Sequence, residues 1–280
     1  MSAQPADREF HLSDSEFDRL RRLVHEHTGI ALSNSKRELV YGRLVRRLRG
    51  LGLESFSEYC QLLETGRGDE LQELTNAITT NLTSFFRENH HFEQLASEVL
   101  PHIVRTHAAN RRLRIWSAGC STGEEPYSLS MVLREAADQL RNWDVKLLAT
   151  DIDSKVLTTA SSGVYREDRF QGVSPQRLQR WFTPAVGQAG HLAVRDELKS
   201  VISFKQLNLL DDWPMRGPFD IIFCRNVVIY FDKDTQRTLF DRMAALQTPG
   251  SWLFVGHSEN LFSITSRYKL TARTVYRRVD

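Results

Sequence analysis

Residues 113–130 read LRIWSAGCSTGEEPYSLS. A short, mostly apolar run at 113–117 is followed by a loop with two glycines and then by a segment that starts at Glu124. Glycine lets the backbone turn sharply and approach a ligand closely. A buried strand, a glycine loop and a helix in this order predict the start of an α/β domain, with a binding loop after its first strand.

The rest of the chain after this stretch continues to alternate strands and helices. Strands are predicted at 145–150, 201–207, 219–224 and 252–255, and the tail at 268–277 alternates like one more edge strand. This order predicts a doubly wound, mostly parallel sheet with helices on both faces. Glycines and a proline interrupt the alternation at 181–197, where we expect a small β-subdomain inserted into the sheet domain.

The first 75 residues have a different pattern, typical of short amphipathic helices. Ser13 and Glu16 have the spacing of a capping box, and Gly29 is expected to end that helix. Three further amphipathic segments follow. We therefore predict an all-α domain at 1–75 and a sheet domain at 76–280.

Composition narrows the class of protein. Hydrophobic residues make up 41% and charged residues 26% of the 280 residues, as is usual for globular proteins, and the net charge is +2. No apolar run reaches the roughly 20 residues of a membrane span. The first residues lack a signal-peptide pattern, so we expect a cytoplasmic protein without membrane insertion. Three scattered cysteines, and histidines that are mostly single and lack H-E-x-x-H spacing, predict neither disulfides nor a metal site.

Polar residues and glycines follow the predicted strands where ligands bind in open parallel sheets, beyond the carboxyl ends. This set comprises Gly119, Gly123, Glu125, Asp151, Asn208, Arg225 and Asn226. Asp151 ends the second strand, where a carboxylate suits hydrogen bonds to a ribose diol. The pattern indicates a ligand that contains a nucleoside.

The charge of the glycine loop favours one type of nucleotide. Loops that hold the pyrophosphate of a dinucleotide usually have the motif G-x-G-x-x-G. This loop lacks that motif and is followed directly by Glu124 and Glu125. Two carboxylates repel phosphate and attract a cation. S-adenosylmethionine carries an ammonium and a sulfonium and no phosphate, so it fits better. Alternatively, the glutamates only complement the helix dipole.

The segment TTNLTSFFRE at 79–88 is a second candidate for ligand binding. Arg87 is placed to pair with a ligand carboxylate, and Asn81 and Thr83 to donate hydrogen bonds. The structural alternative is a helix capped by Thr83, with Phe85 and Phe86 in the core.

A basic segment precedes these motifs. Residues 36–49 carry six basic side chains and one acidic side chain, a net +5, and Arg43, Arg46 and Arg47 lie at helical spacing. Such a stripe suits an acidic protein helix or, alternatively, the phosphates of a nucleic acid.

Seven stretches together resemble the CheR-type family of chemotaxis receptor methyltransferases. They are KRELVYGRLVRRLR (36–49), TTNLTSFFRE (79–88), STGEEPYS (121–128), ATDID (149–153), NLL (208–210), FCRNVVIYFD (223–232) and GHSEN (256–260). They run in order over almost the whole chain. The resemblance implies a class I (Rossmann-like) methyltransferase domain with an inserted β-subdomain, preceded by a small all-α domain.

The resemblance also implies roles for individual residues. Asn81, Thr83 and Arg87 would hold the methionine part of S-adenosylmethionine. Glu125 would bind its ammonium beside Gly119, and Asp151 would bind its ribose. Asn208 and Leu209 would flank the adenine. Arg225 and Asn226 would lie near the reacting end, with Arg87 and Tyr230 as the catalytic residues.

The reaction implied by the family is transfer of a methyl group to glutamates of membrane chemoreceptors, which leaves S-adenosylhomocysteine. Arg43, Arg46 and Arg47 would then bind the acidic methylation helices, and the inserted β-subdomain is where some members dock a tether peptide at the receptor's C-terminus. A nucleic-acid methyltransferase and a non-catalytic module that binds S-adenosylmethionine are the rival predictions. The near-neutral total charge argues against nucleic acid. An NAD-dependent oxidoreductase is disfavoured because its phosphate fingerprint is missing.

Overall fold

The computed structural model describes residues 9–66 and 69–279. The chain forms two compact units, Met1–Thr80 and Asn81–Asp280. The stretch TGRGD at 65–69 predicts a loop, but its residues Arg67 and Gly68 lie outside the described residues.

The first unit is helical in its described part. Its helices are α1 (Asp14–Thr28), α2 (Arg37–Leu51), α3 (Phe56–Glu64) and α4 (Glu70–Ile78). At the start of α1, the Ser13 hydroxyl accepts the Glu16 N–H at 3.2 Å and the Glu16 carboxylate accepts the Ser13 N–H at 2.8 Å. Gly29 ends the helix with φ +71°, where glycine has no Cβ to clash. The predicted capping box and the predicted end of the helix are confirmed.

Arg43, on α2, contacts the C-terminal end of α4. One of its guanidinium nitrogens donates to the carbonyl oxygens of Ala77, Ile78 and Thr79 at 2.8–3.1 Å. The last carbonyls of a helix lack partners within the helix and carry partial negative charge. Arg43 therefore stabilises the end of α4, a function that the sequence did not indicate.

Arg47 lies one turn further along α2 and forms a fork with Glu70. Its Nε and Nη2 atoms donate to the Glu70 carboxylate at 2.8 and 2.5 Å, and the Tyr59 hydroxyl adds a third bond at 2.8 Å. The Glu70 side chain is only 6% exposed. A buried carboxylate is stable only when it is paired, so Arg47 supports the fold of this unit.

We expect the substitution Arg47→Met to lower the free energy of unfolding of the helical unit by about 2–4 kcal/mol, because it leaves the Glu70 carboxylate buried with one donor. Chemical denaturation of the full-length protein, followed by circular dichroism, measures this. Arg19 forms a similar bidentate ion pair with Glu64, but the Glu64 side chain is 46% exposed. The matched control Arg19→Met should therefore have a much smaller effect, and equal effects would contradict the role of burial.

The second unit combines helices with two sheets. Its helices are α5 (His90–Gln94), α6 (Leu100–Thr106), α7 (Glu124–Glu135), α8 (Ser154–Ser162), α9 (Pro175–Trp181), α10 (Asp196–Lys199) and α11 (Lys233–Ala245), with a π-helical turn at Leu95–Val99 between α5 and α6. Its strands are β1 (Arg112–Ala118), β2 (Asp144–Asp151), β3 (Val164–Arg166), β4 (Phe182–Pro184), β5 (His191–Val194), β6 (Ile202–Gln206), β7 (Ile221–Cys224), β8 (Trp252–Val255), β9 (Tyr268–Ala272) and β10 (Val275–Arg278).

The central sheet has the strand order β6-β2-β1-β7-β8-β10-β9. The first five strands in this order, β6, β2, β1, β7 and β8, are parallel to one another. Alternate residues of β7 and β8 are buried in two separate hydrophobic clusters, so the sheet is covered on both faces, which explains their continuous apolar runs. The predicted doubly wound α/β fold is confirmed. The order reverses between β1 and β7, which makes this the switch point where ligands bind.

The tail differs from its prediction. Instead of one edge strand at 268–277, β9 and β10 form an antiparallel hairpin, and β10 pairs with β8. Arg273 and Thr274 separate the two strands, and Thr274 has φ +54°. The sequence offers no glycine at this turn, so the alternation predicts one continuous strand.

The inserted β-subdomain is a three-stranded antiparallel sheet in the order β3-β5-β4. Two of these strands, β4 and β5, come from the segment predicted at 181–197. The third, β3, precedes that segment and follows α8 directly.

Candidate active site

The glycine loop after β1 starts the candidate site at the switch point. The N–H groups of Gly119 and Cys120 donate to the Thr150 carbonyl at 2.8 and 2.9 Å, which fixes the loop beside the end of β2. Gly119 has φ +83°, and a Cβ there would collide with the Val227 side chain after β7. Glycine is therefore required where the loops after β1 and β7 approach each other.

Asp151 ends β2 and turns its carboxylate into this loop. It accepts the N–H of Ser121 at 2.8 Å and the N–H of Asp153 at 3.0 Å, and it is 8% exposed. Burial raises the pKa of Asp151 to about 6, and the two N–H donors oppose that shift. The Asp151 carboxylate can accept further hydrogen bonds, and it lies at the position where the sequence predicts the ribose-binding residue.

Arg225 follows β7 and joins two acidic residues. Its guanidinium pairs with Glu125 at 2.9 Å and with Glu88 at 3.1 Å, and it donates to the Arg87 carbonyl. The Ser117 hydroxyl occupies the other oxygen of Glu125 at 2.8 Å. The Arg225 side chain is only 2% exposed, so it serves as a buried cation that holds three segments together.

Glu88 is the acidic residue of this network that the sequence did not single out. Besides Arg225, its carboxylate contacts the His257 ring at 2.8 Å. Burial raises the pKa of Glu88, but the bonds from His257 and the charge of Arg225 outweigh it and hold that pKa at about 2. Glu88 is therefore ionised at neutral pH.

The Glu124 side chain, unlike that of Glu125, is enclosed by contacts with the loop before α7 and with the β-subdomain. It is fully buried, accepts the Thr122 hydroxyl at 2.6 Å and pairs with Arg169. Tyr165, on β3, donates to the Thr122 carbonyl at 2.6 Å. The β-subdomain strand and the turn after it thus fix the loop that precedes α7.

The segment at 79–88 forms no helix, and the next helix, α5, begins at His90. Asn81 donates to the Asp153 carboxylate at 2.7 Å, and its carbonyl accepts the Ser121 hydroxyl at 3.1 Å. Phe85 and Phe86 are buried in the core, but the helix capped by Thr83, which was the alternative, is absent from this segment. Asn81 therefore lies next to the glycine loop.

The remaining predicted cofactor residues occupy the same edge of the sheet. Asn208 follows β6, and its side-chain oxygen accepts the Leu210 N–H at 3.1 Å. Leu209 is buried against the core. Arg87 is half-buried and donates to the Leu82 carbonyl at 2.8 Å. Thr83 is half-buried, and its carbonyl accepts from Arg169.

The loop after β7 carries Asn226 and Tyr230. Asn226 has φ +58°, and Tyr230 ends a short 3₁₀ turn, Val228–Tyr230, and is partly exposed. The Glu259 carboxylate holds this loop through its backbone N–H groups. Glu259 belongs to the GHSEN stretch at 256–260, and the sequence predicted no role for it. The signal available was its place just after β8, at the same sheet edge.

The predicted substrate-binding arginines lie on α2 of the helical unit. Arg46 is exposed, whereas Arg43 and Arg47 make the intramolecular contacts described above. One of the three is thus directed to solvent.

The charged groups at the sheet edge fit S-adenosylmethionine. Glu88, Glu125 and Asp151 bring three carboxylates, while Arg225 supplies one buried cation and Arg87 a second, half-buried one. The carboxylates outnumber the cations, which suits a ligand that carries positive groups. Residues 9–66 and 69–279 contain no group of three or more His, Cys, Asp or Glu side chains arranged to hold a metal ion. None of the helices in the described part of the chain has the length and apolar character of a membrane span.

Family models match both units of the chain. Residues 15–79 match the CheR methyltransferase all-alpha domain, and residues 81–277 match the CheR methyltransferase SAM-binding domain.

Three relatives are chemotaxis protein methyltransferases. The one from Salmonella typhimurium is 46% identical over 269 residues, which cover 95% of this chain and 90% of the relative. The one from Escherichia coli K12 is 45% identical over 271 residues, or 95% and 91% of the two chains. Chemotaxis protein methyltransferase 2 from Pseudomonas aeruginosa is 45% identical over 274 residues, or 96% and 95%. The chain described here belongs to the CheR family of S-adenosylmethionine-binding methyltransferases.

Proposed function

We propose that this methyltransferase transfers the methyl group of S-adenosylmethionine to glutamate side chains of membrane chemoreceptors in the cytoplasm. The products are glutamate methyl esters and S-adenosylhomocysteine. The observation that supports this most is the cluster of carboxylates at the sheet edge, where Asp151 and Glu125 lie with Arg225, in a chain whose relatives are chemotaxis protein methyltransferases.

The reaction is a displacement at the methyl carbon. S-adenosylmethionine supplies a methyl group bound to a positively charged sulfur. An oxygen of the acceptor glutamate forms the new O–C bond, the S–C bond breaks, and its electron pair remains on sulfur. A free glutamate has a pKa near 4.3 and is already ionised at neutral pH, so the chain needs no general base and no covalent intermediate.

The chain's own residues act by alignment and by excluding water. We assign the ribose contact to Asp151, the ammonium contact to Glu125, and the methionine carboxylate to Arg87 with Asn81 and Thr83. Glu125 can accept a further hydrogen bond because Ser117 and Arg225 use only one lone pair on each of its oxygens.

The remaining assignments concern the adenine and the reacting end. Asn208 and Leu209 flank the adenine, and Gly119 lets the backbone come close to the cofactor. Asn226 lies near the reacting end, where Arg87 and Tyr230 are the proposed catalytic residues. The ring face of Tyr230 is suited to a sulfonium.

The acceptor helix is acidic, and α2 supplies the complementary charge. Arg46 is the exposed member of the proposed substrate-binding set. Arg43 and Arg47 belong to the same proposed set, but Arg47 pairs with Glu70 and Arg43 caps α4, so variants of these two would confuse binding with folding. We also propose that the β-subdomain binds a tether peptide at the receptor's C-terminus.

We expect Arg46→Glu to lower kcat/KM for the receptor about tenfold or more, because charge reversal weakens the attraction of an acidic helix. Binding of S-adenosylhomocysteine, measured by calorimetry, should not change. Arg22 is an exposed arginine on α1, and Arg22→Glu changes the net charge by the same amount. If both variants methylate the receptor equally well, α2 is not the binding surface.

The acceptor itself is tested by mass spectrometry of receptor peptides after incubation with the enzyme and S-adenosylmethionine. We expect methyl groups on glutamates of the receptor's helical segments. Parallel incubations with RNA and DNA test the nucleic-acid alternative. Binding of S-adenosylhomocysteine without transfer to any acceptor would favour the non-catalytic alternative.

A further inference from the structure

The loop after β8 contains a buried carboxylate with an unusual set of partners. Glu259 is 4% exposed, and its two oxygens accept four backbone N–H groups. One oxygen accepts Gly256 at 2.5 Å and Asn226 at 2.9 Å, and the other accepts Val227 at 2.9 Å and Val228 at 3.0 Å. Three of these four donors are consecutive residues of the loop after β7.

Four donors occupy all the lone-pair sites of one carboxylate. Burial raises the pKa of Glu259, and the four N–H groups oppose that shift by stabilising the ionised form. A neutral carboxyl would place a hydrogen against one of these N–H groups, and the NH₂ of a carboxamide would place a hydrogen against each of two of them. The arrangement therefore depends on an ionised acceptor and not only on the shape of the side chain.

The same loop after β8 is attached to the rest of the site at a second point. His257, two residues before Glu259, contacts the Glu88 carboxylate with its ring at 2.8 Å and its N–H at 3.3 Å. Glu88 in turn pairs with Arg225. Residue 256 has no space for a side chain, since a Cβ on Gly256 would lie 2.9 Å from the backbone nitrogen of Asn226 and 2.4 Å from its side-chain nitrogen.

The loop that Glu259 holds contains two residues of the proposed site. Asn226 has the positive φ of +58° that asparagine adopts more readily than most residues but at some cost, and Tyr230 follows two residues after the last bonded N–H. No other described side chain bonds the backbone N–H groups of Asn226, Val227 and Val228. Glu259 is therefore the side chain that satisfies these three N–H groups, while the Gln236 amide donates to the carbonyls of Val228 and Phe231.

We propose that Glu259 is a positioning residue for methyl transfer, which fixes the loop at 226–230 so that Asn226 and Tyr230 are held at the reacting end. The role rests on the proposed function, because it concerns the geometry of that reaction. Glu259 acts through the backbone and touches neither substrate in this scheme. Misplacement of reacting groups by about 1 Å can cost about 10²-fold in rate.

The test compares two isosteric substitutions in the full-length protein. Glu259→Gln keeps the shape but removes two of the four acceptor sites. Asp220→Asn is the matched control, because Asp220 is a mostly buried carboxylate that accepts the Arg114 N–H at 2.7 Å just before β7, at the opposite edge of the sheet. Gly256→Ala is a second test variant, since its Cβ displaces the same loop from the other side.

We expect Glu259→Gln to lower kcat about 10²-fold at saturating substrates while every chain still binds S-adenosylhomocysteine. Amide hydrogen exchange at 226–228 should accelerate in Glu259→Gln and Gly256→Ala, whereas Asp220→Asn keeps the parent kcat and the parent exchange. Unchanged exchange and kcat in Glu259→Gln would overturn the proposal. So would a parallel loss of kcat and of binding-competent protein in both isosteric variants, since that indicates a purely structural role.

The exchange measurement does not depend on the identity of the acceptor. If the parent enzyme fails to methylate any receptor, the proposed function fails, and faster exchange at 226–228 in Glu259→Gln still supports the control of this loop by Glu259. If the parent methylates receptors and the exchange is unchanged, only the positioning role fails.

Discussion

Replacing Arg225 with methionine is expected to lower the free energy of unfolding of the α/β unit by about 3–5 kcal/mol and to abolish cofactor binding. Arg225 is buried and is the cation shared by Glu88 and Glu125. Methionine fills a similar space but leaves both carboxylates without their ionic partner. Denaturant unfolding and calorimetry with S-adenosylhomocysteine measure the two effects.

The double variant Arg225→Met/Glu125→Gln is the control, and it should recover part of the lost stability because it removes one of the unpaired charges. The pH dependence adds a second readout. The pKa of Glu88 is held at about 2, below its ordinary value of 4.5, so its pairing stabilises the fold above pH 4.5 and is lost as the pH falls toward 2. Arg225→Met should weaken this acid dependence, and wild-type stability in the variant would contradict the network.

Replacing Asp151 with asparagine is expected to weaken binding of S-adenosylhomocysteine about 10²-fold, because the charge-assisted hydrogen bonds that we propose between this carboxylate and the ribose would be lost or weakened. Asparagine offers one acceptor oxygen, whereas the carboxylate now accepts Ser121 and Asp153 through both. Calorimetry measures the affinity. Asp220→Asn again serves as the control at the opposite edge of the sheet and should bind like the parent protein.

The affinity of the parent protein should also depend on pH through Asp151. Its pKa is raised to about 6 by burial, so the carboxylate is ionised above that pH and protonated below it. If the ribose binds the ionised form, the affinity falls about tenfold for each pH unit below 6. Asp151→Asn should have a flat profile over this range. A flat profile in the parent protein would mean that Asp151 does not bind the ribose in its ionised form.

The parts of the fold that depend on local sequence were predictable. Ser13, Glu16 and Gly29 define α1 through side chains within a few residues of one another, and the apolar runs at β7 and β8 are continuous because both faces are buried. The strand-end position of Asp151 follows from the order of strands alone. The hairpin at β9 and β10 was not predicted, because its turn lacks the usual glycine.

Interactions between residues distant in sequence were not predictable. Arg225 is 100 residues from Glu125, and a lone arginine after a strand gives no sign of which carboxylate it meets. By spacing, Arg43 and Arg47 fit a solvent-exposed stripe. In the structure, Arg43 binds the C-terminal end of α4 and Arg47 binds Glu70 at its N-terminal end. Glu259 lies 31 to 33 residues from the loop it holds, so the sequence predicted no role for it.

The most direct test of the proposed reaction is the chemical nature of the transferred methyl group. The enzyme is incubated with S-adenosylmethionine labelled in its methyl group and with membranes that carry candidate chemoreceptors, and the washed product is treated with mild alkali. A glutamate methyl ester predicts that the label leaves the receptor as volatile methanol. Label that stays bound through the alkali treatment, as in a methylated amine or nucleic acid, would contradict methyl transfer to glutamate.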